Sequence, residues 1–277
     1  MDNWLERGTM KKFLEKTLVD NLSGLTTIIS IIKESREKDE LLSKLAGTII
    51  SDKSFKSLIK ITLDNSCYYV KVYWDTNMFS VLKNVYRGDL RAFREAEGLL
   101  LLQKHGFNTP RLISYGVVEY SFIQKHSYII TKEVEGYRSV DECLSKRCDE
   151  SIMVAVGKLI GSIHKNDMVY GDFHSENVLI SNNDKEDFIF LDWMGVKKTD
   201  NFQKKLVDLA KFIYYSGDKN WQGKQQLIEH FLKSYWNYFN ETHEEPLEYE
   251  ELTNMIDQKL KSLTRVFALY KMLVHIG

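Results

Sequence analysis

The spacing of apolar residues changes twice along the chain and divides it into three parts. In residues 1–45 the apolar positions recur at intervals of about 3.6, which predicts a helical N-terminal extension. Residues 46–133 carry short apolar runs separated by polar turns, as strands do, with one helical stretch among them. Residues 134–277 return mainly to helical spacing. We therefore expect an α+β fold of two lobes, with a cleft near residue 134.

Five strands and one main helix are predicted in the N-terminal lobe. The polar residues Ser51–Ser54 separate the first two strands, and Asp89 is predicted to cap a helix that ends near Lys104. Tight turns between the first three strands favour antiparallel pairing. The predicted strands are Thr48–Ile50, Leu58–Leu63, Tyr68–Trp74, Arg111–Val118 and Ser127–Lys132.

Lys71 stands at the centre of the third predicted strand, between apolar neighbours. A buried ammonium group is costly without an anionic partner, whereas a lysine on the wet face of an edge strand needs none. Both interpretations are open from the strand alone. If Lys71 is buried, Glu95 or Glu97 of the following helix is the available partner. Helix geometry does not choose between them, because they lie about 200° apart around the axis.

The clearest chemistry surrounds a predicted hairpin in the C-terminal lobe. Its strands are Val178–Ile180 and Phe188–Leu191, with Asp172 and Asn177 before the first and Asp192 after the second. Antiparallel pairing would bring the three polar side chains to one end of a small sheet. In phosphoryl transfer, Asp172 would accept the proton of the acceptor hydroxyl, and Asn177 and Asp192 would hold Mg²⁺ against phosphate oxygens.

Further residues complete an ATP site in this interpretation. Lys71 would neutralise the α- and β-phosphates, and the helix glutamate would hold the lysine in place. The backbone of Lys132 and Val134, in the segment that joins the lobes, would offer hydrogen bonds to the adenine ring. The expected cofactors are therefore ATP and Mg²⁺.

Composition and charge argue against several other classes of protein. A formal net charge of -1 over 277 residues gives no electrostatic reason to expect nucleic acid as a partner. No run approaches the ~18 consecutive apolar residues that a membrane span needs. The three cysteines have no metal-ligand spacing, which suits a reducing, cytoplasmic compartment.

Three motifs give the chain a resemblance to a known superfamily. Tyr170–Asn177, YGDFHSEN, is similar to a (H/Y)-G-D-x-H-x-x-N catalytic loop. Arg94–Ala96, followed by Gly106 and Pro110, is similar to the first-helix pattern of the same proteins, and Leu206–Phe212, LVDLAKF, to their D-L-A-(R/K) helix. Together they resemble the eukaryotic-like kinases, and among them the bacterial lipopolysaccharide core (heptose/Kdo) kinases, related to aminoglycoside and choline phosphotransferases.

The resemblance implies a two-lobed protein-kinase-like fold. It assigns a five-stranded antiparallel sheet with one main helix to residues 46–133 and a mainly helical lobe to residues 134–277. It selects Glu95 as the partner of Lys71 and places Asp208 on the helix beneath the active site. It also implies ATP- and Mg²⁺-dependent transfer of a γ-phosphate to a sugar hydroxyl, that of a heptose or Kdo of the lipopolysaccharide inner core.

Two alternatives remain beside that function. One is a small-molecule phosphotransferase acting on an aminoglycoside or choline, and the other is a pseudokinase or binding module. The turn expected over the phosphates, Ser51–Ser54, contains no glycine, which slightly favours the last. Asp192-Trp193-Met194 replaces D-F-G and no A-P-E element follows, which argues against a protein kinase regulated by activation-loop phosphorylation.

Two further features admit both a functional and a structural interpretation. His174 either contacts the acceptor or anchors the loop that carries it. A basic stripe of Lys83, Arg87, Arg91 and Arg94 either contacts anionic lipids on the cytoplasmic face of the inner membrane or is a solvated face. The expected partner is a glycan or another hydroxyl-bearing small molecule.

Overall fold

The computed structural model describes seven segments of the chain, and their residues cluster into two compact units. The first unit is drawn from residues 1–97 and 110–133, and the second from residues 98–109 and 134–277. The described segments are residues 15–17, 23–75, 90–119, 125–147, 149–217, 219–242 and 246–274.

The first unit is built on one antiparallel sheet, which has six strands in the described part of the chain. The strands are β1 (Glu15–Thr17), β2 (Thr48–Lys53), β3 (Lys56–Leu63), β4 (Ser66–Asp75), β5 (Leu112–Glu119) and β6 (Lys125–Lys132). They lie in the order β1-β5-β6-β4-β3-β2. The helices are α1 (Ser23–Glu34), α2 (Lys38–Lys44) and the first part of α3 (Arg91–Lys104). The predicted cap of α3, Asp89, lies outside the described residues.

All five predicted strands are present, and the edge strand β1 is an addition. The helical prediction for residues 1–45 holds for α1 and α2 but is wrong for β1. That strand pairs with β5, with Glu15 opposite Gly116 and Thr17 opposite Ser114. Its hydrogen bonds come from a segment about a hundred residues away, so local spacing could not reveal it.

The turn between β2 and β3 also differs from the prediction. Ser51–Ser54 is not a turn, because β2 continues through three of these residues and the turn is the dipeptide Ser54–Phe55. The polar side chain of Asp52 finds its partners on two neighbouring elements. Asp52, opposite Ser57, accepts a hydrogen bond from its hydroxyl (2.8 Å) and pairs with Lys38 of α2 (2.7 Å). The polar residues here therefore belong to a strand and contact its neighbours, although the same composition is typical of a turn.

The two faces of β4 have different surroundings. Val70 and Val72 are completely buried in an apolar core that one face of the sheet forms with α1 and α2. Because side chains alternate along a strand, Lys71 points to the opposite face. β4 lies between β3 and β6, so Lys71 is not on an edge strand.

A buried histidine lies in the same core. His126 of β6 is 2% exposed, donates from Nε2 to the carbonyl oxygen of Ile32 (3.0 Å) and packs against Trp74. Burial lowers the pKa of His126 to about 4, although its bond to the Ile32 carbonyl opposes the shift. The folded protein therefore holds this side chain neutral under mildly acidic conditions, where an unfolded chain would protonate it.

We expect this histidine to make the protein less stable in mild acid. Its contribution is complete above the unfolded pKa of about 6.5 and is lost as pH falls toward about 4, because only the unfolded state takes up the proton. About 2 kcal/mol of unfolding free energy should disappear between about pH 7 and about pH 5. Urea denaturation of wild type and His126→Gln measures the effect. An equally steep loss of stability in both proteins would contradict this assignment.

The second unit is mainly helical. Its helices are the last part of α3, α4 (Val140–Lys146), α5 (Glu150–Lys165), α6 (Phe202–Ser216), α7 (Lys224–Thr242) and α8 (Tyr249–Val274). Its strands are β7 (Tyr137–Ser139), β8 (Met168–Val169), β9 (Val178–Ser181), β10 (Phe188–Phe190) and β11 (Lys197–Lys198). They form two small sheets, β10-β9-β7 and β11-β8. The helical spacing predicted for residues 134–277 agrees with these helices, and none of the described helices is long and apolar enough to cross a membrane.

Three aromatic side chains anchor the loop before β9 to the helices beneath it. Phe173 of the loop stacks on Phe212 of α6 with ring centroids 4.9 Å apart, and Phe212 packs on Phe231 of α7 at 4.5 Å. All three are fully buried. Burial of such a cluster stabilises the loop by several kcal/mol, on the order of 2 kcal/mol for each ring. The loop is therefore part of the helical core, which fixes the polar residues on either side of Phe173.

Candidate active site

The first unit contains a buried ion pair between strand and helix. Lys71 of β4 donates from Nζ to Oε1 of Glu95 on α3, and the side chains are 14% and 0% exposed. Glu97 is exposed. A charged pair that is this well buried needs hydrogen bonds to both partners. The structure thus joins the two residues that the resemblance selected, and the buried lysine has the anionic partner that burial demands.

Tyr73 completes this ion pair and was not foreseen from the sequence. Its hydroxyl donates to Oε2 of Glu95, so each oxygen of the buried carboxylate has a donor. Tyr73 is two residues after Lys71 and therefore lies on the same face of β4. That spacing was the signal available in the sequence. The triad Lys71–Glu95–Tyr73 gives the lysine a fixed orientation.

The second unit brings Asn177 and Asp192 to the same end of the β9–β10 hairpin. Val178 pairs with Phe190, and in continuation the backbone N–H of Leu191 donates to the carbonyl oxygen of Asn177 (2.8 Å). Asn177 in turn donates from Nδ2 to the backbone carbonyl of Asp172 (3.1 Å). The hairpin and this one amide bond hold Asp172, Asn177 and Asp192 together, as the sequence predicted.

The backbone at Asp192 has an uncommon conformation. Its φ is +60°, in the left-handed region that few residues other than glycine adopt, and such positions often carry function. Trp193 stabilises the bend by donating from Nε1 to the carbonyl oxygen of Phe190 (2.6 Å) while its ring is buried. A Cβ at Gly98 of α3 would lie 2.0 Å from the carbonyl oxygen of Trp193. Only glycine lets the helix approach this bend so closely.

These residues fit a magnesium ion. Asp192 supplies a carboxylate, and the bond from Nδ2 of Asn177 to Asp172 leaves the amide oxygen as the acceptor end of that side chain. Mg²⁺ prefers oxygen ligands and in nucleotide sites takes one or two from protein, with phosphate oxygens and water supplying the rest. An acid and an amide oxygen at one hairpin end meet that requirement.

A buried acid beneath the loop fixes its backbone. Asp208 of α6 is 1% exposed and accepts the backbone N–H groups of Tyr170 (2.7 Å) and Gly171 (2.8 Å). His164 of α5, fully buried, lies with Nε2 3.4 Å from the same carboxylate and Nδ1 3.0 Å from the hydroxyl of Tyr235. The position of Asp208 agrees with the motif that it occupies. The parts played by His164 and Tyr235 were not predicted.

The glycine in this loop is needed for geometry. Gly171 has φ of +85°, and a Cβ there would lie 2.5 Å from the carbonyl oxygen of Gly195. Any side chain would therefore both strain the backbone and collide with the segment that follows Asp192. Gly171 thus allows Asp172 to leave the helical core and present its side chain at 43% exposure.

A histidine and a lysine flank the exposed carboxylate of Asp172. His174 has Nε2 3.7 Å from Oδ2, and Lys211 of α6 has Nζ 3.9 Å from Oδ1. The ring of His174 also packs edge-on against Tyr215, with centroids 5.1 Å apart. Burial raises the pKa of the Tyr215 hydroxyl, and the Asp172 carboxylate raises it further. Lys211, His174 and Tyr215 therefore lie around the carboxylate of Asp172.

The chain reaches the next helix soon after Asp192. It passes through β11, which pairs with β8, and enters α6 at Phe202. A protein kinase regulated by phosphorylation needs a longer segment here, which folds or unfolds with the modification. The short connection agrees with the absence of an A-P-E element from the sequence.

The residues predicted to bind adenine lie at the end of β6 and just beyond it. In the first unit, Lys132 donates its backbone N–H to the carbonyl oxygen of Arg111 (2.9 Å). The next residue, Glu133, is held by Lys60 (2.7 Å), whose hydrogen bond lowers the pKa of Glu133. Val134 begins the second unit. Adenine binding by Lys132 and Val134 stays a prediction.

Only part of the predicted basic stripe falls in the described residues. Lys83 and Arg87 lie outside them. The guanidinium of Arg91 stands over the ring of Phe55 at 5.1 Å. Membrane contact through this stripe therefore stays a prediction.

Comparison with solved structures gives matches of low sequence identity. A solved structure described as WaaP in complex with acyl carrier protein has a TM-score of 0.56 and 17% identity, covering 85% of this chain and 96% of the other. A glucosamine kinase covers 83% and 86% with a TM-score of 0.41 and 10% identity. Vaccinia related kinase 3 covers 87% and 97% with a TM-score of 0.39 and 12% identity. No curated protein matches the sequence.

The sequence itself matches a family model over most of its length. The matched residues, 53–235, include every predicted catalytic and cofactor-binding residue, from Lys71 to Asp192. They begin within β2 of the first unit and end within α7 of the second. Since the family is described as Lipopolysaccharide kinase (Kdo/WaaP), this chain belongs to the lipopolysaccharide kinase (Kdo/WaaP) family and is a kinase.

Proposed function

We propose that this protein transfers the γ-phosphoryl group of ATP, with Mg²⁺, to a hydroxyl of a heptose or Kdo sugar in the lipopolysaccharide inner core. The observation that carries the proposal is the constellation of Asp172, Asn177 and Asp192 around one hairpin in a member of this kinase family. Because the reaction consumes ATP, the cytoplasm is the proposed compartment.

Asp172 is the proposed general base. It accepts the proton of the acceptor hydroxyl as the new oxygen–phosphorus bond forms and the bond from the γ-phosphorus to the bridging oxygen breaks, which leaves ADP. Its exposure allows contact with an acceptor, and the Asn177 bond keeps its backbone in register with the hairpin. Asn177 and Asp192 are the proposed ligands of Mg²⁺, which when bound neutralises charge on the phosphate oxygens.

Lys71 and Lys132 of the first unit, with Val134 just after Lys132 in the chain, are the proposed contacts to the remainder of the nucleotide. Lys71 binds the α- and β-phosphates, and Glu95 with Tyr73 keeps its ammonium from turning away. The backbone at Lys132 and Val134 binds adenine. Catalysis of phosphoryl transfer rests on such positioning and charge neutralisation, so fixed side chains are what the reaction requires.

One charge beside Asp172 favours an anionic acceptor. The ammonium of Lys211 lies 3.9 Å from its carboxylate and is 22% exposed, so it can also pair with an anionic group on the acceptor. Inner-core sugars carry carboxylate or phosphate groups, whereas aminoglycosides and choline are cations and would gain nothing from this lysine. The lipopolysaccharide sugar is therefore proposed ahead of the small-molecule phosphotransferase.

An ATP-consumption assay with a panel of acceptors tests the proposal. We expect Mg²⁺-dependent turnover with deacylated core glycans and little with aminoglycosides or choline. Asp172→Ala serves as the inactive control. Turnover on aminoglycosides alone would favour the small-molecule alternative. No turnover on any acceptor, with no thermal shift from MgATP, would contradict the kinase chemistry and favour a binding module.

A further inference from the structure

Lys211 occupies a position on α6 that the proposed mechanism has not used. It is three residues after Asp208, so both side chains project from the same face of the helix. Asp208 accepts the N–H of Gly171, and Lys211 donates from Nζ to the carbonyl oxygen of the same glycine. One face of α6 therefore binds both the backbone N–H and the carbonyl oxygen of Gly171, the residue before the proposed base Asp172.

The ammonium group of Lys211 has capacity beyond that bond. It carries three hydrogen-bond donors, and the side chain is 22% exposed. One donor reaches Gly171, and Nζ lies 3.9 Å from Oδ1 of Asp172, longer than a direct hydrogen bond. The lysine is thus close to the reacting end of Asp172 without being locked onto it.

A cation for the transferring phosphoryl group does not come from the loop that carries Asp172 itself. Between Asp172 and Asn177 the loop reads FHSE, which contains no lysine or arginine. The turn between β2 and β3 is Ser54–Phe55, without the glycines whose backbone approaches phosphates closely in other kinases. Lys71 is engaged in the first unit with Glu95. A cation close to Asp172 would add to the neutralisation of the phosphate oxygens that Mg²⁺ supplies when bound.

Geometry places Lys211 within reach of that group. An acceptor oxygen bonded to Asp172 lies about 3 Å from the carboxylate, and the phosphorus that it attacks lies about 3 Å further. A lysine ammonium binds a phosphate oxygen at about 2.8 Å. From a point 3.9 Å from Oδ1, the Lys211 ammonium can therefore meet an oxygen of the transferring group through a small change of side-chain rotamer.

We propose that Lys211 is a further catalytic residue, whose ammonium contacts the phosphoryl group while it passes to the acceptor. The inference rests on the proposed function, since it takes Asp172 as the base. As the acceptor oxygen bonds to phosphorus and the bond to ADP breaks, the equatorial oxygens gain a cationic contact from α6. The acceptor proton still goes to Asp172, and Lys211 transfers none.

The competing explanation is that Lys211 only positions Gly171. Lys211→Gln removes the charge and keeps an amide donor on a side chain one bond shorter than lysine. If Lys211 only positions Gly171, this variant should lose stability, which chemical denaturation measures, in step with any loss of rate. A charge contact to the phosphoryl group would be lost, with a fall in kcat of about 100-fold. Lys204→Gln on the same helix, where the lysine is exposed, is the matched control.

A binding experiment gives a readout that does not depend on knowing the acceptor. The probes are MgADP alone and MgADP with aluminium fluoride, which mimics the phosphoryl group in transfer. Thermal shift and calorimetry should give equal MgADP affinity for wild type, Lys211→Gln and Lys204→Gln. Wild type and Lys204→Gln should bind more tightly with aluminium fluoride, and Lys211→Gln should lose most of that increment.

The outcomes distinguish failure of the role proposed for Lys211 from failure of the proposed kinase function. If no protein binds MgADP and wild type phosphorylates no acceptor, the proposed function fails. If wild type binds MgADP but gains nothing from aluminium fluoride, or Lys211→Gln gains as much as wild type, the catalytic role of Lys211 is overturned. Wild-type kcat in Lys211→Gln on a core glycan would overturn it equally, with the proposed function intact.

Discussion

Replacing Asp172 by asparagine is expected to lower kcat for phosphoryl transfer by about 1,000-fold while MgATP affinity stays within a few-fold of wild type. Asparagine has nearly the same shape but cannot accept the acceptor proton. The backbone carbonyl that Asn177 holds is unchanged, so the magnesium ligands keep their places. Single-turnover rates with a core glycan measure the loss, and calorimetry measures MgATP binding.

The control for this variant is Asp184→Asn in the exposed turn between β9 and β10, which removes an equal charge from the same hairpin. We expect wild-type rates from it. A rate for Asp172→Asn close to wild type would remove Asp172 from the role of base. Loss of MgATP binding together with rate would mean that Asp172 binds the metal–nucleotide instead.

Replacing Asp208 by alanine is expected to destabilise the second unit by about 3 kcal/mol and to reduce activity through the displaced loop. The change leaves the N–H groups of Tyr170 and Gly171 without their acceptor in a buried site and removes the carboxylate beside His164. Chemical denaturation followed by fluorescence measures the stability. The stability of Asp208→Asn should lie between those of wild type and Asp208→Ala, since an amide keeps one acceptor oxygen.

Asp200→Ala is the matched control for Asp208, because this acid is exposed just before the same helix. Its stability should stay within about 0.5 kcal/mol of wild type. Wild-type stability in Asp208→Ala would show that the two backbone N–H groups find other partners. In that case the acid could not be what fixes the loop before Asp172.

The predictable parts of the site share one property: each is visible in a short stretch of sequence. Asp172, Asn177 and Asp192 flank a hairpin whose strands are apolar runs, so their convergence follows from antiparallel pairing. Lys71 is conspicuous because a charged residue interrupts an apolar strand. Local pattern alone left Glu95 and Glu97 open, and the resemblance together with the structure favours Glu95.

The parts that sequence did not predict depend on long-range contacts. Tyr235 reaches His164 from a helix about seventy residues away, and Lys211 reaches Gly171 across about forty. Nothing in the spacing of a helix tells which of its polar residues faces a loop elsewhere. The same limit explains β1, whose partner β5 lies far along the chain, and the Asp52 strand that was predicted as a turn.

Three contacts within the second unit fix the shape of the loop that carries Asp172. The loop is held below by Asp208, at the side by Phe173 and at its end by the Asn177 amide. Two of these contacts come from α6, which carries both Asp208 and the Phe212 ring under Phe173, and the third lies within the loop itself.

The most direct test of the account follows the phosphate itself. Wild-type protein is incubated with Mg²⁺, ATP labelled at the γ-phosphate and deacylated core glycan, and the products are separated and analysed by mass spectrometry. We expect the label on a sugar hydroxyl of the glycan, dependent on Mg²⁺ and absent with Asp172→Asn. Label found only in inorganic phosphate or on the protein, or equal labelling by Asp172→Asn, would contradict the account.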